Sequence, residues 1–252
     1  MTLLITGGAS GIGAATARLA ARRGHKVAIN YRSRDAQAKK VVADIAAAGG
    51  EAVALPADVS READIVGLFD AAEKTLGPIT HLVNSAGIGL NSRVADFDAA
   101  ALERLFTVNT IGLMLCCREA ARRMSTRRGG KGGVIVNVSS MAGTIGGRPG
   151  ASAYAASKAA VDSFTMGLAK DVAQEGIRAV SVRPGMIETE MTERTLSDRE
   201  TRGAIESTIA MGRVGRAEEI ANAILWVLSE EASFISGVTL DASGGGFVFG
   251  KR

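Results

Sequence analysis

Several kinds of residue are scarce in this sequence, and each shortage excludes a class of protein. Only two cysteines occur, Cys116 and Cys117, side by side in an apolar helical run, which excludes a framework of structural disulfides. We expect both to be core thiols of a protein from a reducing compartment, the cytoplasm. Aromatic residues make up 4% of the chain, and too few alternate with basic residues to form a nucleic-acid-binding platform.

Long apolar stretches are scarce as well. No apolar run approaches the ~20 residues that a membrane-spanning helix needs, so we expect no contact with a membrane. The N-terminus enters a predicted strand directly, without the basic and apolar regions of a signal peptide. Hydrophobic residues at 46% and charged residues at 22% are ordinary proportions for a soluble globular enzyme.

Positive charge is in slight excess, with 30 Lys and Arg against 26 Asp and Glu in 252 residues. Basic residues cluster from Arg22 to Arg34 and again from Arg118 to Lys131. Each cluster is either a solvated surface or an attraction for an anionic small molecule, and the sequence leaves both open. The two histidines, His25 and His81, lie at a helix-to-strand turn and at the start of a strand, where structural roles are expected.

Short apolar segments alternate with helix-forming segments along the whole chain. The predicted strands are Leu3–Thr6, Val27–Asn30, Ala52–Leu55, His81–Asn84, Val134–Val138, Ala179–Arg183 and Val238–Leu240. Predicted helices between them include Arg34–Ala48, Ala63–Leu76, Ala99–Met124 and Ala217–Leu228. This alternation, with right-handed crossovers, predicts an α/β fold: a Rossmann-type, doubly wound parallel sheet with helices on both faces. No internal boundary is visible, so we expect one domain over residues 1–252, with a mobile flap at 191–211.

A glycine-rich turn follows the first strand. The segment TGGASGIG places Gly7, Gly11 and Gly13 between that strand and a helix. Glycines allow the backbone to approach a pyrophosphate, and the helix N-terminus adds partial positive charge. The loop alone is weak evidence for nucleotide binding, but the strand before it and the helix after it are the required context.

A tyrosine and a lysine stand four residues apart in YAASK, within a predicted helix. Residues at i and i+4 project from one helix face, so the Tyr154 phenol and the Lys158 ammonium are expected side by side. A phenol has a pKa of about 10, and a neighbouring cation would lower it toward the neutral range. The pair therefore indicates proton transfer, although a lone Y-x-x-x-K is more often an exposed helix surface.

These motifs occur together and in order. TGGASGIG, Asp58-Val59, NSAG at 84–87, Asn109, Ser140, YAASK and PGMIET at 184–189 resemble the short-chain dehydrogenase/reductase family over nearly the whole chain. The resemblance implies a catalytic tetrad of Asn109, Ser140, Tyr154 and Lys158, and no metal. It also implies cofactor contacts at Gly7, Ser10, Gly11, Ile12, Gly13, Tyr31, Arg32, Ser33, Asp58, Val59, Asn84, Ala86, Gly87, Tyr154, Lys158, Pro184, Gly185, Ile187 and Thr189. Thr189 could also be a helix N-cap.

The resemblance implies a mechanism as well. Tyr154 gives its proton to the substrate oxygen as hydride arrives from the nicotinamide, and Ser140 hydrogen-bonds that oxygen. Lys158 lowers the pKa of the tyrosine and binds the nicotinamide ribose. Asn109 helps to hold a water that relays protons to the lysine.

Two departures from the family pattern concern the site. NSAG replaces the usual NNAG, which puts Ser85 in place of an amide with modest structural consequence. The serine usually lies thirteen residues before the tyrosine, but that position here is Met141. Because neighbouring residues of an extended chain face opposite sides, only one of Ser139 and Ser140 can face Tyr154. An extra residue in the glycine-rich stretch 143–150 is the smaller change, so Ser140 is the predicted catalytic serine.

Cofactor choice is predicted at the end of the second strand. An acidic residue there would hydrogen-bond the ribose 2′-hydroxyl of NAD(H), but the chain has Tyr31, Arg32 and Ser33. A guanidinium can bind a 2′-phosphate bidentately, so NADP(H) is predicted over NAD(H). The family's other basic marker is missing, because Ser10 stands in its place in the glycine loop, and NAD(H) remains possible.

Other functions stay open. A non-catalytic nucleotide-binding regulator would keep the glycine loop but has no need of all four catalytic residues. An epimerase or dehydratase on the same scaffold usually has a larger C-terminal substrate region. The substrate could be a 3-oxoacyl thioester, a sugar, a steroid or a small ketone. By resemblance, we expect a homotetramer or homodimer.

Overall fold

The computed structural model describes residues 1–246. Its strands are β1 (Thr2–Thr6), β2 (Lys26–Tyr31), β3 (Ala52–Pro56), β4 (Ile79–Asn84), β5 (Gly133–Val138), β6 (Ile177–Pro184), β7 (Ile187–Glu188), β8 (Gly215–Arg216) and β9 (Thr239–Ala242). Its helices are α1 (Gly11–Arg22), α2 (Asp35–Ala47), α3 (Glu62–Leu76), α4 (Ala99–Phe106), α5 (Leu113–Met124), α6 (Ala142–Ile145), α7 (Ser152–Val172), α8 (Glu193–Leu196), α9 (Arg199–Glu206) and α10 (Ala217–Leu228).

The predicted parallel sheet is confirmed. Seven strands pair in parallel in the order β3-β2-β1-β4-β5-β6-β9, and each predicted strand lies within or overlaps one of them. The strand order reverses between β1 and β4, where a doubly wound sheet opens a crevice at its carboxyl edge. The short strands β7 and β8 pair separately, outside the main sheet.

Helices cover both faces of the sheet, as predicted. One core cluster joins α1, α2 and α10 to residues of the strands, with Ile45 and Ile224 among its buried members. A second cluster on the other face joins α3, α5 and α7 and buries Phe69, the largest of its fully buried side chains. In the central strands, the residues that face either side of the sheet are apolar, because helices cover both faces.

Two expectations need correction. The predicted helix 99–124 is continuous but contains a π-helical segment, Thr107–Gly112, between α4 and α5. Within the predicted flap at 191–211, Leu196, Ile205 and Ile209 are buried together with Val214, which follows the flap. Local sequence polarity did not reveal this small core, because its members are spread over α8, α9 and the residues after α9.

The same stretch, Ala99–Met124, is long and apolar enough to cross a membrane by length and composition, contrary to the expectation that no such segment exists. Its buried residues, among them Leu105, Leu113 and Cys117, lie in the core of the protein. A core helix meets the same criteria, so the stretch is weak evidence for a membrane span.

Candidate active site

A cleft of about 820 Å³ runs along the carboxyl edge of the sheet. Its walls come from the turn after β1, the ends of β2 and β4, the residues after β5, the start of α7 and the segment 184–192. Nearly every residue singled out in the sequence lies on these walls, although the segments are far apart along the chain. The carboxyl ends of parallel strands meet at one edge, which brings them together.

The glycine turn forms one end of the cleft. A Cβ on Gly7, where φ is +67°, would lie 2.8 Å from the Ala86 backbone, so a side chain is excluded. Gly11, Ser10 and Ile12 also line the cleft. Gly13 does not line it. A Cβ there would lie 2.3 Å from the Gly7 carbonyl oxygen, so this glycine permits close packing of α1 behind the loop.

Tyr154 and Lys158 lie on the first two turns of α7 and both line the cleft. The Lys158 side chain is buried, and its Nζ donates a hydrogen bond of 2.9 Å to the Val138 carbonyl. That Nζ lies 6.0 Å from the centre of the Tyr154 ring. The i, i+4 spacing thus brings phenol and ammonium to the same wall of the cleft.

The pKa of each group departs from its ordinary value mainly through burial. Burial raises the pKa of Tyr154, and a hydrogen bond with Ser140 offsets part of that effect. Burial also lowers the pKa of Lys158 to about 8, while the negative charge of Asp162 opposes the change. The expectation that Lys158 lowers the pKa of the tyrosine is therefore wrong for the protein's own groups, because burial raises that pKa and the effect that opposes the rise comes from Ser140.

The two serines after β5 face different neighbours. Ser140 hydrogen-bonds the Tyr154 side chain, and its Oγ accepts a hydrogen bond of 3.1 Å from the Ala142 amide. Ser139 is buried and its hydroxyl donates to the Lys158 carbonyl over 3.0 Å. The glycine-rich stretch between Ser140 and α7 holds the short helix α6 and a turn, which accommodates the longer spacing.

Asn109 lies within the π-helical segment, a feature often found at functional sites. Its Oδ1 accepts from the Ile88 amide at 2.8 Å, and its Nδ2 donates to the Ile88 carbonyl at 2.9 Å and to Ser157 at 3.1 Å. The buried carboxamide thus anchors the 86–88 loop against α7. A Cβ on Gly87 would approach Asn109 Oδ1 at 3.4 Å and Lys158 Nζ at 3.6 Å, so these groups are neighbours.

Asn84 lies behind the cleft instead of on its wall. Its Nδ2 donates to Asn137 at 2.9 Å, and Asn137 in turn donates to Thr165 at 2.9 Å, in a buried polar network beneath the strand ends. Ala86 and Gly87, from the same motif, do line the cleft. The role of Asn84 in this structure is to join β4, β5 and α7.

The cleft is also lined by the residues that the sequence predicts to contact the adenosine part of a cofactor: Tyr31, Arg32, Ser33, Asp58 and Val59. The Asp58 carboxylate pairs with Arg104 at 3.0 Å. No carboxylate was predicted near the end of β2. In the structure, however, the Tyr31 hydroxyl donates a hydrogen bond of 2.7 Å to the Asp35 carboxylate. Asp35 also pairs with Lys39 at 2.7 Å and does not line the cleft.

The opposite wall contains Pro184, Gly185, Ile187 and Thr189. Thr189 packs over the glycine turn, because a Cβ on Gly11 would meet its Cγ2 at 3.3 Å. The alternative of Thr189 as a helix cap is wrong, since α8 begins at Glu193 with Thr192 at its N-cap.

Several residues of the site were missed. Arg34 forms an ion pair with Glu190 across the cleft. Arg104 and Arg148 also line the cleft. In the sequence these three arginines are marked only by their positive charge, and they follow no periodic pattern. Charge alone does not distinguish a residue of the site from one of the surface.

The first half of the second basic stretch forms ion pairs, because the buried Glu119 contacts Arg118, Arg122 and Arg123. Arg128 and Lys131, in its second half, form no ion pair among residues 1–246.

The two histidines and the two cysteines do not line the cleft. His25 and His81 stack edge-on at 5.4 Å, away from the cleft, and burial lowers the pKa of His81 to about 4. Cys116 and Cys117 are buried free thiols, as expected. Among residues 1–246, no group of three or more His, Cys, Asp and Glu side chains could hold a metal ion.

Comparisons with known proteins agree with this geometry. A family described as Enoyl-(Acyl carrier protein) reductase matches residues 7–246. The chain is 44% identical to the uncharacterized oxidoreductase YgfF of Escherichia coli, over 96% of this chain and 98% of that protein. It is 38% identical to 3beta-hydroxysteroid dehydrogenase 1 of Eggerthella lenta, over 99% and 97% of the two chains. A solved dehydrogenase/reductase from Sinorhizobium meliloti 1021 aligns with a TM-score of 0.90 and 34% identity, covering 97% and 94%.

Proposed function

The chain belongs to the short-chain dehydrogenase/reductase family, and on that premise we propose that it transfers hydride between NADP(H) and a carbonyl or secondary alcohol. The observation that carries the proposal is that Ser140 and Tyr154 line one cleft together with the buried Lys158 ammonium. Hydroxyl donors beside a buried cation are what a carbonyl oxygen needs as it gains negative charge.

The residues of the cleft fit a dinucleotide. Gly7 leaves room that a Cβ would fill, and Arg32 is exposed at the adenosine end without an ion-pair partner in residues 1–246. The nicotinamide would supply the hydride when bound. Gly11 and Ile12 would hold the phosphates, Ile187 and Thr189 would contact the carboxamide, and Arg32 would bind the 2′-phosphate.

The chain's own residues would handle the proton. In reduction, Tyr154 donates its proton to the substrate oxygen, and Ser140 donates a hydrogen bond to that oxygen as charge develops. Lys158 is held toward the cleft by the Val138 carbonyl, where its ammonium would bind the nicotinamide ribose. Asn109 keeps the 86–88 loop in register with Lys158.

We propose NADP(H) over NAD(H) because the side chains that line the cleft carry an excess of positive charge. Among residues 1–246, five basic and two acidic side chains line the cleft, an excess of three positive charges. Both carboxylates are paired with arginines, Asp58 with Arg104 and Glu190 with Arg34. The 2′-phosphate therefore meets a cationic site with no unpaired carboxylate to repel it.

The test is Tyr154→Phe, which keeps the ring and removes the transferable proton. We expect a loss of ~10²-fold or more in kcat for NADPH-dependent carbonyl reduction, measured by cofactor absorbance, with NADPH affinity unchanged. A variant that retains most of the activity would contradict this mechanism. NADPH binding by the parent protein without turnover of any carbonyl or alcohol would favour the non-catalytic regulator instead.

Substrate and assembly complete the proposal. The matched family's description favours an acyl thioester, and a sugar oxidised at carbon 1 is the alternative. The partners would be this small molecule and copies of the same chain, as a homotetramer or homodimer, in the cytoplasm. Size-exclusion chromatography with light scattering tests the assembly, and a panel of carbonyls and alcohols tests the substrate.

A further inference from the structure

We propose that Arg148 binds an anionic group on the substrate, so that this enzyme acts on a carbonyl or alcohol that also carries a carboxylate or a phosphate. The inference rests on the function proposed above, since it assigns the substrate class of the same cleft.

Arg148 stands on a turn that the structure holds in place. The turn connects α6 to α7 and contains Gly147 and Gly150, with φ of +78° and +88°. The Ala151 amide donates to the Arg148 carbonyl at 2.8 Å, and the Ser92 amide donates to the Gly150 carbonyl at 2.9 Å. The turn is thus attached both to α7, which carries Tyr154, and to the loop after β4. Arg148 lies on the wall of the cleft, six residues before Tyr154.

Among residues 1–246 the guanidinium of Arg148 forms neither an ion pair nor a side-chain hydrogen bond, whereas Arg34 and Arg104 in the same cleft are each paired with a carboxylate. The Arg148 side chain is exposed where it lines the cleft. An unpaired cation on the wall of a binding cleft is suited to an anion from outside the protein.

Two unpaired guanidinium groups therefore line one cleft, from different segments. Arg32 belongs to the end of β2, where the 2′-phosphate is expected, and Arg148 belongs to the segment that leads from Ser140 to Tyr154. The cofactor's phosphates account for the first and for the glycine turn. Arg148 is not needed for these phosphates and is therefore available to bind the substrate, the molecule that Tyr154 protonates.

The apolar neighbours indicate the rest of the molecule. Leu90, Ile145 and Met191 line the same cleft, and Ile145 and Met191 are 43% and 57% exposed. Exposed apolar side chains beside an unpaired cation favour a substrate with an apolar body and one charged end. Aliphatic oxo acids have this chemistry, and their methyl esters differ from them by the lost charge and one added methyl group.

The test compares oxo acids with their methyl esters, in a series in which the spacing between carbonyl and carboxylate increases one carbon at a time. We measure kcat/KM with NADPH for the parent, Arg148→Gln and Arg148→Lys. The control is Arg128→Gln, which removes an exposed arginine outside the cleft that has no ion-pair partner among residues 1–246. In the parent protein, kcat/KM for at least one oxo acid should be higher than kcat/KM for its methyl ester. Arg148→Gln should then lower kcat/KM for that acid about 10- to 100-fold, mainly through KM.

Turnover of the esters should change less than a few-fold in Arg148→Gln, and Arg148→Lys should recover part of the activity on the acid. A parent that prefers every ester to its acid overturns the proposal, as does an equal loss on acid and ester in Arg148→Gln. If no oxo acid or ester is reduced and the panel of carbonyls and alcohols also shows no turnover, the proposed function fails instead. Calorimetric binding of the oxo acids to NADPH-loaded protein then decides the inference: equal affinity, or no binding, in parent and Arg148→Gln overturns it.

Discussion

Replacing Lys158 with Met should make this protein more stable while it abolishes efficient catalysis. The Lys158 side chain is buried, and burial lowers its pKa from an ordinary 10.5 to about 8. A lowered pKa in a lysine means that the folded state disfavours the charged form. At pH 7 the fold nevertheless holds the ammonium, because its proton is still bound below the folded pKa.

The fall from 10.5 to about 8 corresponds to a penalty of about 3 kcal/mol in the free energy of unfolding. Met fills a similar volume without charge but cannot donate to the Val138 carbonyl, which costs about 1–2 kcal/mol. The variant should therefore gain about 1–2 kcal/mol at pH 7. For a chain of this size, that gain raises Tm by about 2–6 °C.

The pH dependence identifies the cause. Between pH 8 and 10.5 the unfolded chain binds more protons at this lysine than the folded protein does, so the parent becomes more stable as pH rises. The penalty falls below about 1 kcal/mol by pH 10. The advantage of Lys158→Met should accordingly disappear there.

Equilibrium urea unfolding, followed by circular dichroism at pH 7 and pH 10, measures both values. Lys131→Met is the control, because Lys131 is exposed and unpaired within the described chain; it should stay within about 0.5 kcal/mol of the parent at both pH values. A Lys158→Met protein that is less stable than the parent at pH 7, or whose difference from the parent is the same at both pH values, would refute the reasoning.

Three further outcomes are expected. Ser140→Ala should lose ~10²-fold in kcat because Ser140 hydrogen-bonds Tyr154, whereas Ser139→Ala, which loses a contact to a helix carbonyl, should stay within a few-fold; the reverse ranking would move the catalytic role to Ser139. Arg32→Ala should weaken NADPH binding about tenfold and leave NADH unchanged in a fluorescence titration, and an unchanged NADPH affinity would remove the basis for cofactor choice. Alcohol oxidation should rise with pH through the alkaline range, because burial raises the pKa of Tyr154 and oxidation needs the phenolate; a rate that is independent of pH would contradict proton transfer by this residue.

The arrangement of strands and helices could be predicted because its causes are local. Apolar segments of strand length, bounded by turn residues, indicated the parallel sheet, and the i, i+4 spacing brought Tyr154 and Lys158 to one helix face. The alternation of an extended chain also separated Ser139 from Ser140, and the structure has these two serines facing different neighbours. Each of these inferences needs only a few consecutive residues.

Other features depended on contacts between distant segments. Asn84 and Gly13 belong to family motifs. Here Asn84 lies in a buried polar network, and Gly13 packs behind the glycine turn. Asn109 anchors the 86–88 loop, and Arg34 meets Glu190 across the cleft. No spacing along the chain encodes which side chains meet when the folded chain brings separate segments together.

The sequence by itself determined the order of the elements, the turn that can accept a pyrophosphate and the residues available for proton transfer. Only the tertiary structure decided how those residues behave. A cation beside a phenol implies a lowered tyrosine pKa when the pair is considered alone, yet burial reverses that direction and also lowers the pKa of Lys158. Desolvation depends on every atom packed around a group, and those atoms come from segments throughout the fold.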